Sequence, residues 1–192
     1  MTTIVSLSSN KETILLGDQG ITSDLMHPNM NKIVRQMTWV IGVSGEDRIC
    51  DVIQYAVKWP KVPDTLINKD YSYWLPWMVQ KVIPIIQQTI ESSISKSSIT
   101  LENSEAILVT HGKSFLIGET LGLTQTGSYW AIGSGQKVAI GALAANQYTK
   151  DWDKNLENNG RDAISVAQQF DPYTRGNITG YRSLANGHVV SV

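Results

Sequence analysis

Thr2 carries the first group in the chain that is suited to chemistry. Removal of Met1, which is common before a small residue, would leave Thr2 with a free α-amine and a hydroxyl on adjacent carbons. An α-amine has an ordinary pKa of about 8, so it can accept the hydroxyl proton near neutral pH. One residue would then supply both a nucleophile and its base. Many chains begin Met-Thr without using the threonine, so other residues must support this assignment.

Two charged residues, Asp18 and Lys32, are candidates for tuning such a nucleophile. Asp18 ends the second predicted strand, and a hairpin at Asn10 and Lys11 would return that strand towards Thr2. A lysine ammonium near the hydroxyl favours the alkoxide, and a carboxylate beside the lysine keeps it charged when it is buried. Lys32 directly precedes the apolar pair Ile33–Val34 in "NKIVRQ". An ordinary salt bridge, or two solvated charges, is the alternative interpretation.

Glycine-containing junctions between predicted strands and helices supply further candidates. In "VIGVSGED" a buried strand ends at Gly45 before a helix, and backbone N–H groups at such a junction can stabilise an oxyanion. Gly45 is otherwise a simple turn residue. In "AIGSG", Ser134 either caps the next helix or lies beside the nucleophile. "DPYTRG" places Asp171 and Thr174 three residues apart after a helix.

The first half of the chain predicts four strands followed by two helices. The strand segments are "TTIVSLSS", "ETILLGD", a short stretch near Lys32 and "TWVIGVSG". A one-sided helical pattern then begins at Glu46 and stops at Pro60. A second helical pattern covers about Tyr73 to Ile94, with a kink expected at Pro84.

The second half repeats this order. Three or four short antiparallel strands are predicted after Glu105, and helices are predicted from Gly135 to about Lys150 and from Arg161 to Phe170. "DPYTRGNITGY" is expected to be a loop and "GHVVSV" a closing strand. Segregated blocks of strands and helices indicate an α+β fold, and no linker divides residues 1–192, which we predict to form a single domain.

Composition limits the classes of protein that fit. Apolar residues make up 42% and charged residues 17% of 192 residues, as in a folded globular protein. The formal net charge of -1 does not favour nucleic acid or an anionic membrane as a partner. A single cysteine and no recognisable secretory signal predict a cytoplasmic protein. The three histidines show no zinc-ligand spacing, so no catalytic metal is expected.

Taken in order, these motifs resemble the proteasome β-type family of N-terminal nucleophile (Ntn) hydrolases, in particular its HslV branch. The resemblance covers nearly the whole chain and rests on five segments: "MTTIVSL…ILLGDQGIT", "NKIVRQ", "VIGVSGEDR", "WAIGSGQKVAIGALAA" and "AQQFDPYTRGNI". It implies a four-layer αββα sandwich and a threonine-type endopeptidase of a self-compartmentalising, ATPase-dependent ring. The implied partners are protein or peptide substrates, further copies of the chain in stacked rings of six or seven, and an AAA+ unfoldase.

The resemblance also carries residue roles to this sequence. Thr2 would be the nucleophile and its own amine the base, while Asp18 and Lys32 would tune that pair. The Gly45 amide would donate a hydrogen bond to the oxyanion. The residues implied to order the amine and a nearby water are Ser134, Asp171 and Thr174. The residues that match substrate-binding positions, and imply a hydrophobic P1 side chain, are Ile21, Met30 and Val43. No cofactor is required for catalysis, and a structural cation near Asp171 is compatible with the family.

Some features depart from the family pattern and leave other functions open. The segment from Trp59 to Trp77 is longer and more aromatic than expected, which suits either core packing or a contact surface. The Asp171 loop is more similar to proteasomal subunits than to HslV, and Arg175 stands where the family often has glycine. A catalytically silent scaffold or adaptor ring subunit is the main alternative. An Ntn amidase acting on a small amide is a third, disfavoured by the short chain.

Overall fold

The chain forms two antiparallel sheets. The structure is a computed structural model, and it describes residues 2–20, 31–94, 100–101, 103–148 and 151–192. In these ranges the strands are β1 (Thr3–Ser8), β2 (Glu12–Asp18), β3 (Ile33–Gln36), β4 (Trp39–Ser44), β5 (Glu105–Thr110), β6 (Lys113–Ile117), β7 (Leu123–Gln125), β8 (Tyr129–Gly133), β9 (Ile178–Leu184) and β10 (Val189–Ser191). The first sheet has the order β10-β9-β2-β1-β8, and the second has the order β3-β4-β5-β6-β7.

The helices fall into two groups along the chain. They are α1 (Asp47–Asp51), α2 (Asp64–Ile67), α3 (Tyr71–Trp77), α4 (Ile83–Ser93), α5 (Gln136–Asn146) and α6 (Leu156–Phe170). A π-helical segment, Val52–Ala56, continues α1, another, Met78–Val82, joins α3 to α4, and a 3₁₀ turn, Trp152–Lys154, precedes α6. None of the helices in these ranges combines the length and apolar character needed to cross a bilayer.

Three apolar cores divide the fold into four layers. Successive side chains of β1 alternate between two of them, as a pleated strand requires. Ile4 belongs to the core between the two sheets, whereas Val5 faces the core beneath α5 and α6. The third core lies between the second sheet and the helices of the first group, and includes Trp39, Trp74 and Phe115. The predicted α+β fold with αββα layers is confirmed.

The predicted elements differ from the observed ones where tertiary pairing overrides local composition. The segment "NITGY" was expected to be loop, but β9 begins at Ile178 and pairs with β2 over that strand's full length. The interruption expected at Pro84 occurs one turn earlier, in the π-helical segment before α4. Pro84 itself lies in the first turn of α4, where its missing N–H costs little.

The aromatic segment after α1 is part of the outer core. Trp39 lies 5.3 Å from Trp59 and 6.3 Å from Trp77, measured between ring centroids. Its indole N–H also donates to the carbonyl of Pro60 at 2.9 Å. Trp74 is fully buried. The tryptophans of this segment therefore pack in the core, which is one of the two roles that the sequence left open for it.

Candidate active site

The β1–β2 hairpin places Thr2 against Asp18. Ile4 pairs with Gly17, so the residues beyond them at the open end of the hairpin also meet. The Thr2 hydroxyl donates to Oδ1 of Asp18 at 2.5 Å, and the N–H of Thr3 donates to the same oxygen at 2.7 Å. Two threonines that are adjacent in sequence thus donate hydrogen bonds to one carboxylate.

Asp18 is the centre of the site, since it accepts five hydrogen bonds. Besides the two on Oδ1, its Oδ2 accepts from Gly20 N at 3.1 Å, Lys32 Nζ at 2.8 Å and Arg175 N at 3.0 Å. Asp18 is 1% exposed. A carboxylate offers about four lone-pair positions, so its capacity as an acceptor is filled.

Lys32 is a largely buried cation paired with that carboxylate. Its side chain is 12% exposed, and burial lowers the pKa of Lys32 below its ordinary value although the Asp18 charge and hydrogen bond act in the opposite direction. Gln54 fixes the backbone at this point by donating to the Lys32 carbonyl at 2.9 Å. The predicted proximity of Thr2, Asp18 and Lys32 is therefore present, with the carboxylate bonded to both the hydroxyl and the ammonium.

The Gly133–Ser134–Gly135 junction holds the backbone of Thr2 from the other side. Gly133 pairs with Thr3 across the sheet and has a φ of 96°. A Cβ at Gly133 would overlap the Thr2 carbonyl oxygen, and one at Gly135 would overlap the Thr3 hydroxyl. Only glycine fits a left-handed φ with so close an approach.

The Ser134 hydroxyl extends from this junction towards the Asp171 loop. It donates to Oδ2 of Asp171 at 2.6 Å and lies 3.4 Å from the Thr2 carbonyl. The first residue before α5 is Gly135, which makes no side-chain cap. The alternative role of Ser134 as a helix cap is therefore wrong.

The Asp171 loop completes a second hydrogen-bonded chain beside the first. The Thr174 hydroxyl lies 2.6 Å from both Asp171 Oδ2 and the Thr3 hydroxyl, and the N–H of Tyr173 donates to Oδ1 at 3.2 Å. Because Thr174 has one hydroxyl proton, donating it to Asp171 means that Thr3 donates to Thr174. Burial opposes ionisation of Asp171, but these hydrogen bonds outweigh it, so the pKa of Asp171 lies below its ordinary value.

The remaining predicted site residues are Gly45, Val43, Ile21 and Met30. Gly45 has a φ of 129°, and a Cβ there would overlap Ser104, so this exposed turn requires glycine. Val43 is 2% exposed and packs in the outer core. Ile21 and Met30, like Met1, lie outside the described residues. The oxyanion role of the Gly45 amide and the three substrate-binding assignments stay predictions.

Sequence reasoning missed two contributors to the site, Thr3 and Arg175. Thr3 joins the Asp18 and Asp171 groups, since its N–H bonds the first and its hydroxyl the second. The signal for Thr3 was strand alternation, which turns its side chain away from that of Thr2 towards the Asp171 loop. No sequence signal placed the Arg175 N–H on Asp18, 157 residues earlier.

The part of the chain that the structure describes contains no group of three or more histidine, cysteine, aspartate or glutamate side chains suited to hold a metal ion. A structural cation near Asp171 stays a prediction.

Comparison with known proteins gives a consistent result for the fold. No protein-family model and no curated protein sequence matches the chain. Among solved structures, Thiobacillus denitrificans BPH in complex with epoxomicin matches with a TM-score of 0.70 and 13% identity, over 95% of this chain and 98% of that chain. BPH alone matches with a TM-score of 0.70 and 12% identity over the same shares. Eukaryotic HslV from Trypanosoma brucei matches with a TM-score of 0.66 and 16% identity, over 94% and 98%. This chain therefore has the proteasome-like fold of HslV and BPH.

Proposed function

We propose that this chain is a threonine-type endopeptidase in which Thr2, once Met1 is removed, is the nucleophile. The observation that carries the proposal is the arrangement around Asp18, whose buried carboxylate binds the Thr2 hydroxyl and the Lys32 ammonium. A simple salt bridge would not need the hydroxyl of the second residue, nor three backbone N–H groups that fix the carboxylate. So many constraints on one side chain suit a preorganised reaction centre.

In the proposed reaction, the freed α-amine of Thr2 accepts the hydroxyl proton as the oxygen attacks a peptide carbonyl. The proton passes to the leaving amine, and an acyl ester on Thr2 remains until water hydrolyses it. The positive charge of Lys32 favours the developing negative charge on the Thr2 oxygen. Ser134, Asp171 and Thr174 order the amine and the attacking water, and the Gly45 N–H binds the oxyanion. Ile21, Met30 and Val43 contribute to a hydrophobic P1 pocket.

Assembly into a ring belongs to the same proposal. Several large side chains of the outer helical layer are exposed, including Tyr55 at 61%, Tyr73 at 57% and Val79 at 53%. Such side chains are compatible with subunit contacts. We propose stacked homo-oligomeric rings of six or seven subunits, an AAA+ unfoldase partner, no cofactor in catalysis and a cytoplasmic location. Native mass spectrometry of the purified protein tests the ring size.

The proposed chemistry is tested by intact mass and an active-site probe. Intact-mass spectrometry of the purified protein determines whether Met1 has been removed. The protein is then treated with a peptide epoxyketone or boronate. We expect a chain that lacks Met1 and gains one inhibitor mass, mapped by peptide sequencing to Thr2. Thr2→Ala should form no adduct and cleave no peptide.

A matched control separates loss of chemistry from loss of a threonine. Thr89→Ala removes a hydroxyl that bonds only its own helix, in α4 of the outer layer. This variant should label and cleave like wild type. A chain that retains Met1 and forms no adduct would refute the peptidase and favour the silent ring subunit.

A further inference from the structure

The backbone of Arg175 contacts the carboxylate that binds the proposed nucleophile. The backbone N–H of Arg175 donates to the Asp18 oxygen that also binds Lys32, at 3.0 Å, while the other oxygen binds the Thr2 hydroxyl at 2.5 Å. The Arg175 nitrogen therefore lies at most about 8 Å from the Thr2 hydroxyl oxygen, because one carboxylate group separates the two contacts.

The Arg175 side chain is held at two points. A Cβ on Gly20 would lie 2.6 Å from the Arg175 Cβ, so the two residues are in close contact there. Further out, Nε of Arg175 donates to the carbonyl of Pro172. An anchored guanidinium loses less conformational entropy when it binds a planar anion, because its orientation is already restricted.

The guanidinium has no anionic partner within the described residues. Arg175 is exposed, and its two terminal nitrogens make no hydrogen bond or ion pair there. Asp18 is buried and already accepts five hydrogen bonds, while Asp171 accepts from Ser134, Thr174 and Tyr173. Asp18 and Asp171 are thus engaged elsewhere, and among the residues that the structure describes no carboxylate pairs with the Arg175 guanidinium.

We propose that Arg175 is a specificity-determining residue that binds a carboxylate of the peptide substrate. This inference rests on the proposed function. The terminal nitrogens reach roughly 6 Å beyond the Cα, and an extended peptide advances about 3.3 Å per residue. The carboxylate therefore belongs to an aspartate or glutamate within about four residues of the scissile bond, or to a chain terminus at that distance. The Arg175 guanidinium would recognise this carboxylate through bidentate hydrogen bonds, in which two parallel N–H groups donate to the two carboxylate oxygens.

The test compares peptides that differ only in charge. Fluorogenic peptides with an amidated C-terminus carry either glutamate or glutamine at each of the four positions on either side of the scissile bond. A second pair lacks acidic side chains and ends in a free or an amidated carboxyl group, which distinguishes the two sources of carboxylate. For wild type we expect one position at which kcat/KM is about threefold higher for the acidic peptide, as for an exposed ion pair. The ratio should rise at low ionic strength.

Variants of Arg175 test whether this residue causes the preference for the acidic peptide. Arg175→Gln removes the charge but keeps the backbone N–H that binds Asp18, and it should bring the ratio to one. Arg175→Lys should keep part of the preference. Taking the ratio within each variant cancels any change in general activity. The matched control is Lys154→Gln, which removes an exposed positive charge. Lys154 precedes the N-terminus of α6, whereas Arg175 follows its C-terminus, and the helix itself is about 20 Å long. Lys154→Gln should keep the wild-type ratio.

Two results would overturn the inference. Equal kcat/KM for all acidic and neutral pairs in wild type is one, and a preference that survives in Arg175→Gln is the other. Both can occur in a protein that cleaves peptides and labels at Thr2, so they leave the proposed peptidase intact. Absence of both labelling and cleavage would instead overturn the peptidase, and this inference with it.

Discussion

Asp18→Asn perturbs the residue on which the whole site depends. The substitution keeps the shape of the side chain but removes the carboxylate charge that lies 2.8 Å from the buried Lys32 ammonium. It also replaces one acceptor oxygen by an NH₂ group that faces donors, whichever way the amide is turned. Four of the five hydrogen-bond donors around Asp18 are backbone N–H groups or the Lys32 ammonium, which cannot accept from this NH₂. The fifth is the Thr2 hydroxyl, which shares its Asp18 oxygen with the N–H of Thr3.

The expected loss of stability follows from these contacts. Removing one partner of a buried ion pair costs about 3–5 kcal/mol, which is a large part of the free energy of unfolding of a typical domain. The same chemical change at Asp151, whose pair with Lys154 leaves the two side chains 59% and 80% exposed, should cost less than about 1 kcal/mol. Asp151→Asn is therefore the matched control.

The pH dependence gives a second signature. Burial already lowers the pKa of Lys32, and Asp18 opposes that shift, so losing Asp18 lowers the pKa further. Between the folded pKa and the ordinary value of 10.5, the unfolded chain binds more protons at this lysine than the folded one. The free energy of unfolding of Asp18→Asn should therefore rise with pH in this window, so that its deficit relative to wild type shrinks.

Urea unfolding monitored by tryptophan fluorescence at pH 7 and pH 9 measures both effects. A double variant, Asp18→Asn with Lys32→Met, removes both charges and should recover part of the loss, since the buried positive charge is removed together with the negative one. The role of Asp18 as the partner of a buried ion pair is refuted if Asp18→Asn lowers the free energy of unfolding no more than Asp151→Asn does. It is also refuted if the double variant is less stable than Asp18→Asn alone.

Two further predictions concern the groups around Thr2. Gly133→Ala should abolish labelling of Thr2 and cost more stability than Gly127→Ala, because both glycines have a positive φ but only at Gly133 would a Cβ overlap the Thr2 carbonyl; equal costs in urea unfolding would contradict this. Asp171→Asn should be less stable than wild type at pH 7 by a margin that narrows below about pH 4. The lowered pKa of Asp171 stabilises the fold above the ordinary value of 3.8, and this stabilisation is lost as pH falls through the folded pKa. A margin that stays constant from pH 7 to pH 3 would argue against this role.

Much of the fold was predictable because its signals are local. The hairpin at Asn10 and Lys11, the buried strand ending at Ser44 and the helix that stops before Pro60 each depend on neighbouring residues, and each is present. The start of β9 was missed, because "NIT" has loop composition and becomes strand only by pairing with β2. Pro84 was misjudged because its effect depends on the π-helical segment before it.

The sequence by itself determined which residue types were present to build a site: a threonine near the start, an aspartate ending a strand, a lysine before an apolar pair and a Gly-Ser-Gly junction. Only the tertiary structure decided how they connect. It made Asp18 the common acceptor for Thr2, Lys32 and the distant N–H of Arg175, and it made Thr3 the link to Asp171. The physical reason is that hydrogen bonds require approach within about 3 Å, which sheet register and loop closure set across more than a hundred residues.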